Sequence, residues 1–115
     1  EKMDKFSVST NIGNGKLTYP IALITADEIA LAGGRTGYKN SNFYLRADNT
    51  YNTMSPSQFD SKAGTARVFY LYPAGDLSNW SNVHYAYGIR PVINLNSNIS
   101  IKSGDGTMEN PYKIS

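Results

Sequence analysis

An alternating stretch with a proline inside it, followed by a glycine-rich turn, most constrains how this chain can fold. Residues 87–95 have the sequence Tyr-Gly-Ile-Arg-Pro-Val-Ile-Asn-Leu, which alternates as a β-strand does. Because Pro91 lacks an amide hydrogen, this strand belongs at a sheet edge or a bulge. Strand-like residues 99–101 and 112–114 lie on either side of a Gly-Asp-Gly turn at 104–106, which predicts a terminal hairpin or a longer loop. The last third of the chain is therefore predicted to be β-structure.

One segment has the signals of a helix. Thr25 and Glu28 fit a capping box, in which the threonine hydroxyl accepts from the Glu28 amide and the carboxylate accepts from the Thr25 amide. Residues 29–32 are apolar, and the glycines at 33–34 provide an end. We expect a short helix at about 25–33.

The remaining elements are predicted from shorter patterns. An Asn-Gly pair inside residues 6–18 indicates an opening hairpin, and residues 67–72 and 80–87 are rich in strand-forming side chains. Residues 35–62 have little periodicity apart from short runs and a Ser-Pro-Ser turn at 55–57. So long an irregular stretch is either a binding surface or a packed loop without a ligand.

Size and charge narrow the class of protein. With 115 residues, the chain is expected to form one domain, 1–115, and its first residue, Glu1, suggests a C-terminal module preceded by the rest of a longer parent chain. The net charge is +2, without a basic cluster, so nucleic acid is not an expected partner. Absence of cysteine excludes disulfides and thiolate chemistry, and no apolar run is long enough to span a membrane.

These elements predict an α+β fold with one main helix, at about 25–33, packed on a small and mostly antiparallel sheet. Their order resembles an uncharacterised family of C-terminal modules in surface or secreted proteins of Gram-positive bacteria. The matching pieces are residues 23–34, 54–57, 75–77, 88–95 and 104–112. The resemblance implies an extracellular or cell-surface location.

Such modules are similar in plan to the C-type-lectin-like fold of formylglycine-generating enzymes and some phage receptor-binding proteins. In that fold a Gly-Phe-Arg strand near the end completes the central sheet, and residues 88–90, Gly-Ile-Arg, would take its place. The cysteine chemistry of those enzymes is excluded here. The calcium site of C-type lectins is not supported either, because residues 109–111 have the wrong order and residues 79–81 lack the acid. We therefore expect no cofactor and no metal.

Catalytic residues are not indicated. His84, the only histidine, lies between strand-like neighbours, and a structural or surface role is favoured over that of a general base. Asp105 and Glu109 form the nearest acidic pair, but a turn that needs positive φ at its glycines explains this segment without calcium. We expect a protein that is not an enzyme, and a cryptic hydrolase using His84 stays the third alternative.

Structural roles are expected for four residues. Thr25 and Glu28 cap the helix, and Gly88 precedes Arg90 in the closing strand. The Arg90 guanidinium is predicted to hold a loop to the sheet by stacking on Tyr87 or Trp80 and pairing with an acid such as Asp76. The alternative is that Arg90 binds the carboxylate of a ligand.

A ligand would be recognised by aromatic rings interleaved with amides, which suit sugar rings or a protein surface. The candidate binding residues are Tyr38, Asn42, Tyr44, Tyr51, Asn52, Trp80 and Tyr85. Alternatively, several of these rings fill the core. The sequence thus predicts a non-catalytic extracellular recognition or adhesion module that binds a glycan or a surface protein. A purely structural C-terminal cap of a multi-domain protein is the second alternative; a binding module predicts a concave aromatic patch at 38–57, and a hydrolase predicts a cleft at His84 with a carboxylate in reach.

Overall fold

The part of the chain that the structure describes is mostly β-structure, arranged in three sheets. The computed structural model describes residues 18–19, 21–95, 97–107 and 109–115. The elements are β1 (Ile21–Leu23), α1 (Ala26–Leu31), β2 (Arg35–Thr36), β3 (Tyr51–Asp60), β4 (Thr65–Leu71), β5 (Asp76–Asn82), β6 (Pro91–Ile93), β7 (Ile101–Ser103) and β8 (Lys113–Ile114). No helix in these ranges is long and apolar enough to cross a membrane.

The largest sheet has four strands in the order β2-β5-β4-β3. Strands β3, β4 and β5 follow one another in the chain as an antiparallel meander, and β2 joins β5 in parallel. Strands β1 and β6 form a separate antiparallel pair, as do β7 and β8. The long meander is therefore the scaffold on which the loops are placed.

One face of the meander carries the hydrophobic core. Leu71 of β4 lies opposite Tyr51 of β3 and Leu77 of β5, so the three side chains project to the same side. Leu71 and Ile29 of α1 are completely buried. The other members of this cluster are Ile24, Ala26 and Phe43. The core thus joins the sheet to α1 and to the loop before β3.

The predicted α+β fold, with a main helix packed on a sheet, is wrong. The capping box at Thr25 and Glu28 does form, but α1 has only six residues and is therefore about 9 Å long. A helix this short buries only Ala26 and Ile29, and the loop residue Phe43 covers part of the core as well. The C-type-lectin-like arrangement was predicted as part of this α+β fold, and that prediction is wrong as well.

The prediction of an irregular stretch over residues 35–62 is also wrong. This stretch contains β3, the longest of the described strands, and the Ser-Pro-Ser segment at 55–57 lies within that strand instead of forming a turn. The register with β4 shifts between Asn52 and Pro56 and again between Pro56 and Gln58. Bulges of this kind accept a proline and break the regular alternation from which a strand is recognised.

The other strand predictions agree better with the structure. Residues 67–72 correspond to β4, and the stretch from 88 to 95 contains β6, where Pro91 lies in a two-stranded sheet as an edge residue can. The terminal hairpin is confirmed as β7 and β8. The strand predicted at 80–87 is displaced, because β5 ends at Asn82. The opening hairpin falls almost entirely outside the described residues.

Candidate binding surface

Four tyrosines form a continuous group of aromatic rings, here called the tyrosine ridge (Tyr70, Tyr72, Tyr85 and Tyr87). The Tyr70 ring meets Tyr72 edge-on at 4.8 Å between centroids and stacks on Tyr87 at 6.0 Å. Tyr87 in turn meets Tyr85 edge-on at 5.9 Å. Such offset and edge-to-face pairs are the arrangements that aromatic rings prefer.

The ridge is built on the face of the meander opposite the core. Tyr70 of β4 lies opposite Asn52 and Ser78, and its neighbour Leu71 points into the core. Because side chains alternate along a strand, Tyr70 projects away from the core. Tyr70 is itself buried, whereas 41% of Tyr72 is exposed. Tyr70 therefore supports the outer rings from below.

The loop after β5 supplies the other two rings. Its course is fixed by backbone hydrogen bonds from the Tyr85 amide to the Asn82 carbonyl, 3.0 Å, and from the Gly88 amide to the Thr50 carbonyl, 2.9 Å. A side chain at Gly88 would bring its Cβ to 3.1 Å from the Thr50 oxygen, so glycine lets the two backbones approach. Tyr85 is 46% exposed and Tyr87 40%.

A pocket adjoins the ridge at Tyr87. It has a volume of about 330 Å³ and is open to solvent. Its lining is formed by Asn49, Thr50, Ala86, Tyr87 and Gly88. The pocket is therefore an open depression that borders one partly exposed ring with an amide, a hydroxyl and backbone groups.

The hydroxyl groups of Tyr70 and Tyr72 share a hydrogen bond of 2.8 Å. This hydrogen bond, with desolvation as a smaller cause, raises the pKa of Tyr72 to about 12. The Tyr72 hydroxyl therefore stays protonated well above neutral pH. It is a neutral hydrogen-bonding group at the exposed edge of the ridge.

Trp80 lies on a different part of the surface, and 61% of it is exposed. Its ring is covered on one side by the guanidinium of Arg67, whose Cζ lies 4.3 Å from the ring centroid. Arg67 also donates from Nε to Asn82 Oδ1 at 3.1 Å and forms an ion pair with Asp60 at 3.5 Å. Trp80 is thus exposed but supported by a fixed cation.

The structure distributes the candidate binding residues over different environments. Tyr51 is buried, with its hydroxyl donating to the Leu45 carbonyl at 2.8 Å, and it is a core residue. Asn52 accepts from the Ser81 hydroxyl at 2.8 Å. A binding role for Tyr51 is therefore wrong, because its ring and its hydroxyl are already engaged inside the protein.

The other members of that set are at the surface. Tyr38 and Tyr44 are largely exposed, the first beside Arg35 and the second edge-on to Phe43. Asn42 is exposed in the same loop. Tyr85 is the member that belongs to the ridge. Tyr51, one of the rings in the concave patch predicted at 38–57, lies in the core instead.

Arg90 holds a loop to the sheet, but not through the predicted partners. Its Nη1 atom donates to the Leu45 carbonyl at 2.9 Å, and its Cζ lies 5.6 Å from the Tyr51 ring centroid. Burial raises the pKa of the Tyr51 hydroxyl, and the positive charge of Arg90 partly opposes that rise. The predicted contacts with Tyr87, Trp80 and Asp76 are wrong. Trp80 is occupied by Arg67, and the Asp76 carboxylate accepts from the Gly37 amide.

His84 and Asp105, two residues considered above for chemistry, are both exposed at the surface. His84 is exposed in the turn after β5, where its ring meets Tyr85 edge-on. Hydrogen bonds from the Thr107 amide and hydroxyl lower the pKa of the Asp105 carboxyl. Gly104 and Gly106, on either side of it, both have positive φ, as the turn requires. Within the described ranges, no three His, Cys, Asp or Glu side chains are grouped to hold a metal ion.

The sequence interpretation missed the ring contacts of Tyr70 and Tyr72. Both were assigned to a strand, and no ligand-binding role was considered for them. The signal was present, since alternation in residues 68–72 places these two tyrosines on one side and Leu71 on the other. The side that faces the core could not be chosen from this stretch alone, because all three side chains are large and apolar enough to be buried.

Comparison of the chain with protein-family models, with curated proteins and with solved structures found no match. The resemblance to Gram-positive surface modules therefore stays a prediction.

Proposed function

We propose that the chain is a non-catalytic extracellular recognition module that binds carbohydrate through the tyrosine ridge. The observation that carries the proposal is the row of contacting rings from Tyr85 to Tyr72, with Tyr70 buried beneath it, at the margin of an open pocket. A ring that is already held by its neighbours loses little conformational entropy on binding. The ridge is therefore a preorganised surface.

The chemistry of the ridge favours a sugar over a charged ligand. Tyrosine offers an apolar ring face together with a hydroxyl, which matches the C–H faces and hydroxyl edges of a sugar. The pocket lining contains no charged side chain, and Asn49 and Thr50 can both donate and accept hydrogen bonds. The net charge of +2 is spread over single residues, so a strongly acidic partner is not favoured.

The location and biological setting belong to the same proposal. A carbohydrate-binding module in a surface or secreted protein of a Gram-positive bacterium would meet the polysaccharides of a cell wall or of a host surface. We propose adhesion as the role of the module within a longer parent protein. His84, exposed at the end of the ridge beside Tyr85, would contribute a ring edge and take no part in chemistry.

Affinity electrophoresis in gels containing purified cell-wall polysaccharide, together with a glycan array, tests the proposal. Tyr85→Ala and Tyr87→Ala should each weaken binding by about tenfold, the effect of losing one well-packed aromatic contact. Tyr38→Ala and Tyr44→Ala are matched controls, because these rings are at least as exposed but lie outside the ridge. The controls should bind as the wild type does.

The same experiment separates the competing interpretations. Loss of binding in the two ridge variants alone, with unchanged thermal unfolding, supports the ridge as the site. Equal effects in all four variants would indicate non-specific adsorption and contradict the proposal. Absence of binding by the wild type in both assays would reject carbohydrate recognition and favour the purely structural cap.

A further inference from the structure

The structure assigns Trp80 as a second subsite, which binds one sugar unit by stacking on the face of the meander opposite the tyrosine ridge. This inference deepens the proposed function and rests on it. Trp80 contacts Arg67, not the rings of the tyrosine ridge. The two aromatic surfaces are therefore distinct binding elements of one module.

The indole of Trp80 is fixed from one side. The Cζ atom of Arg67 lies 4.3 Å from the ring centroid, and only 13% of the Arg67 side chain is exposed. The guanidinium is therefore packed against one face of the ring. A guanidinium at this distance is attracted to the face of the indole ring. The 61% of Trp80 that is exposed is then the opposite face and the ring edge. This leaves a flat apolar surface directed to solvent.

Arg67 is held in place by its own partners. The Asp60 carboxylate pairs with Arg67 through Oδ2, and its Oδ1 accepts from the amides of Lys62 and Ala63 in the turn between β3 and β4. Asn82 Oδ1 accepts from Arg67 Nε. The tight turn thus fixes the carboxylate, the carboxylate fixes the guanidinium, and the guanidinium fixes the indole.

Two amides flank Arg67, the residue that lies against the Trp80 ring, and can reach sugar hydroxyls there. Gln58 and Asn82 are the cross-strand partners of Arg67 on β3 and β5, so the three side chains project to the same side. The Asn82 oxygen is used by Arg67, which leaves its NH₂ group as the donor toward a ligand. Gln58 is exposed and offers both a donor and an acceptor.

Charge argues for a neutral sugar at this subsite. The positive charge of Arg67 is balanced by Asp60, and the guanidinium face is occupied by the indole. A phosphate or carboxylate would have to displace one of these partners. A pyranose needs only the free indole face and the two neighbouring amides.

Fluorescence provides a direct test, because Trp80 is the only tryptophan of the chain. The probe is the cell-wall polysaccharide that binds the wild type, together with oligosaccharides released from it. Titration should change the emission of Trp80 saturably, and Trp80→Ala should weaken binding to the long polysaccharide about tenfold. The change in emission should persist in Tyr87→Ala at higher ligand concentration, because Trp80 acts independently of the ridge.

Arg67→Gln tests the supporting role of the cation. We expect faster local motion of Trp80 in time-resolved fluorescence anisotropy, with weaker binding, while thermal unfolding verifies that the variant is folded. Lys39→Gln, which removes an exposed cation away from Trp80, is a control for the same change of charge and should change neither measurement.

The outcomes separate this inference from the proposed function. Binding that depends on the ridge but leaves Trp80 emission unchanged, and is unaffected by Trp80→Ala, would reject the second subsite and keep the ridge. Failure of the wild type to bind any polysaccharide would reject both. Saturable emission changes, with loss of affinity in Trp80→Ala, support the subsite.

Discussion

Ser55 Oγ accepts a hydrogen bond from the Ala26 amide at 2.9 Å, in the buried contact between β3 and α1. The amides of the first helical turn have no acceptor within the helix, and the Thr25 hydroxyl accepts from that of Glu28. A serine in the middle of a neighbouring strand therefore completes the helix cap.

Removal of the Ser55 hydroxyl should destabilise the protein. Ser55→Ala leaves the Ala26 amide buried without its partner, and such a loss costs about 1–3 kcal/mol of unfolding free energy. Urea denaturation followed by circular dichroism measures the change. Ser61→Ala, at an exposed turn position, should stay within about 0.5 kcal/mol of the wild type. Equal stability of the two variants would show that the cap does not depend on Ser55.

Two glycines with similar backbone conformations should respond differently to alanine. Gly75 has φ 80° and Gly37 has φ 72°, but only at Gly75 would a Cβ collide, with the carbonyl of Asn40. Gly37→Ala should cost about 1 kcal/mol through backbone strain. Gly75→Ala should cost clearly more, because the loop at Asn40 must also move. Thermal unfolding of both variants checks the order, and a smaller effect at Gly75 would contradict it.

Arg90→Ala should lower stability by about 1.5–3 kcal/mol, because it removes a charged hydrogen bond to the Leu45 carbonyl and the cation beside Tyr51. Arg90→Lys should recover only part of the loss, since an ammonium lacks the planar group that lies over the ring. Chemical denaturation measures both variants. A melting temperature unchanged in Arg90→Ala would refute the structural role and favour contact with a ligand carboxylate.

Tyr70→Phe should lower the pKa of Tyr72 from about 12 toward the ordinary value of 10.0. Because the pKa of Tyr72 is raised in the folded state, its hydrogen bond contributes fully to the unfolding free energy below pH 10. This contribution is lost as the pH rises toward 12. NMR titration of tyrosines labelled at Cζ measures the pKa directly, and the decline in unfolding free energy across this interval should be smaller in the variant. Tyr51→Phe, which removes a core hydroxyl, should leave the Tyr72 titration unchanged. A Tyr72 pKa that does not move in Tyr70→Phe would rule out the hydrogen bond as its cause.

Local signals in the sequence were sufficient to predict some elements of the fold. Thr25 and Glu28 form their capping box because its contacts lie within one turn of chain, and Pro91 lies in a two-stranded sheet because its missing donor excludes it from a central strand. The Gly-Asp-Gly turn and its flanking strands depend on equally local chemistry. These features need no knowledge of distant partners.

Features that depend on distant partners were not predicted. The bulges around Pro56 break the alternation by which β3 would be recognised as a strand. They can be assigned only when β4 is known to lie beside it. Arg90 contacts a carbonyl 45 positions earlier in the chain, for which the sequence gives no signal. The tyrosine ridge was partly found, through Tyr85, but its buried support at Tyr70 depends on which side of β4 meets the core.

The pairing of β1 with β6 bears on the order in which the molecule assembles. Ile21 lies opposite Ile93, 72 positions later, whereas β3, β4 and β5 are linked by tight turns. Closing the longer loop costs more chain entropy, so we expect the meander to form in the rate-limiting step and the β1–β6 pair to form afterwards. Substitutions at Ile93 should then chiefly accelerate unfolding, and those at Leu71 should slow folding. Stopped-flow kinetics showing the reverse would contradict this order.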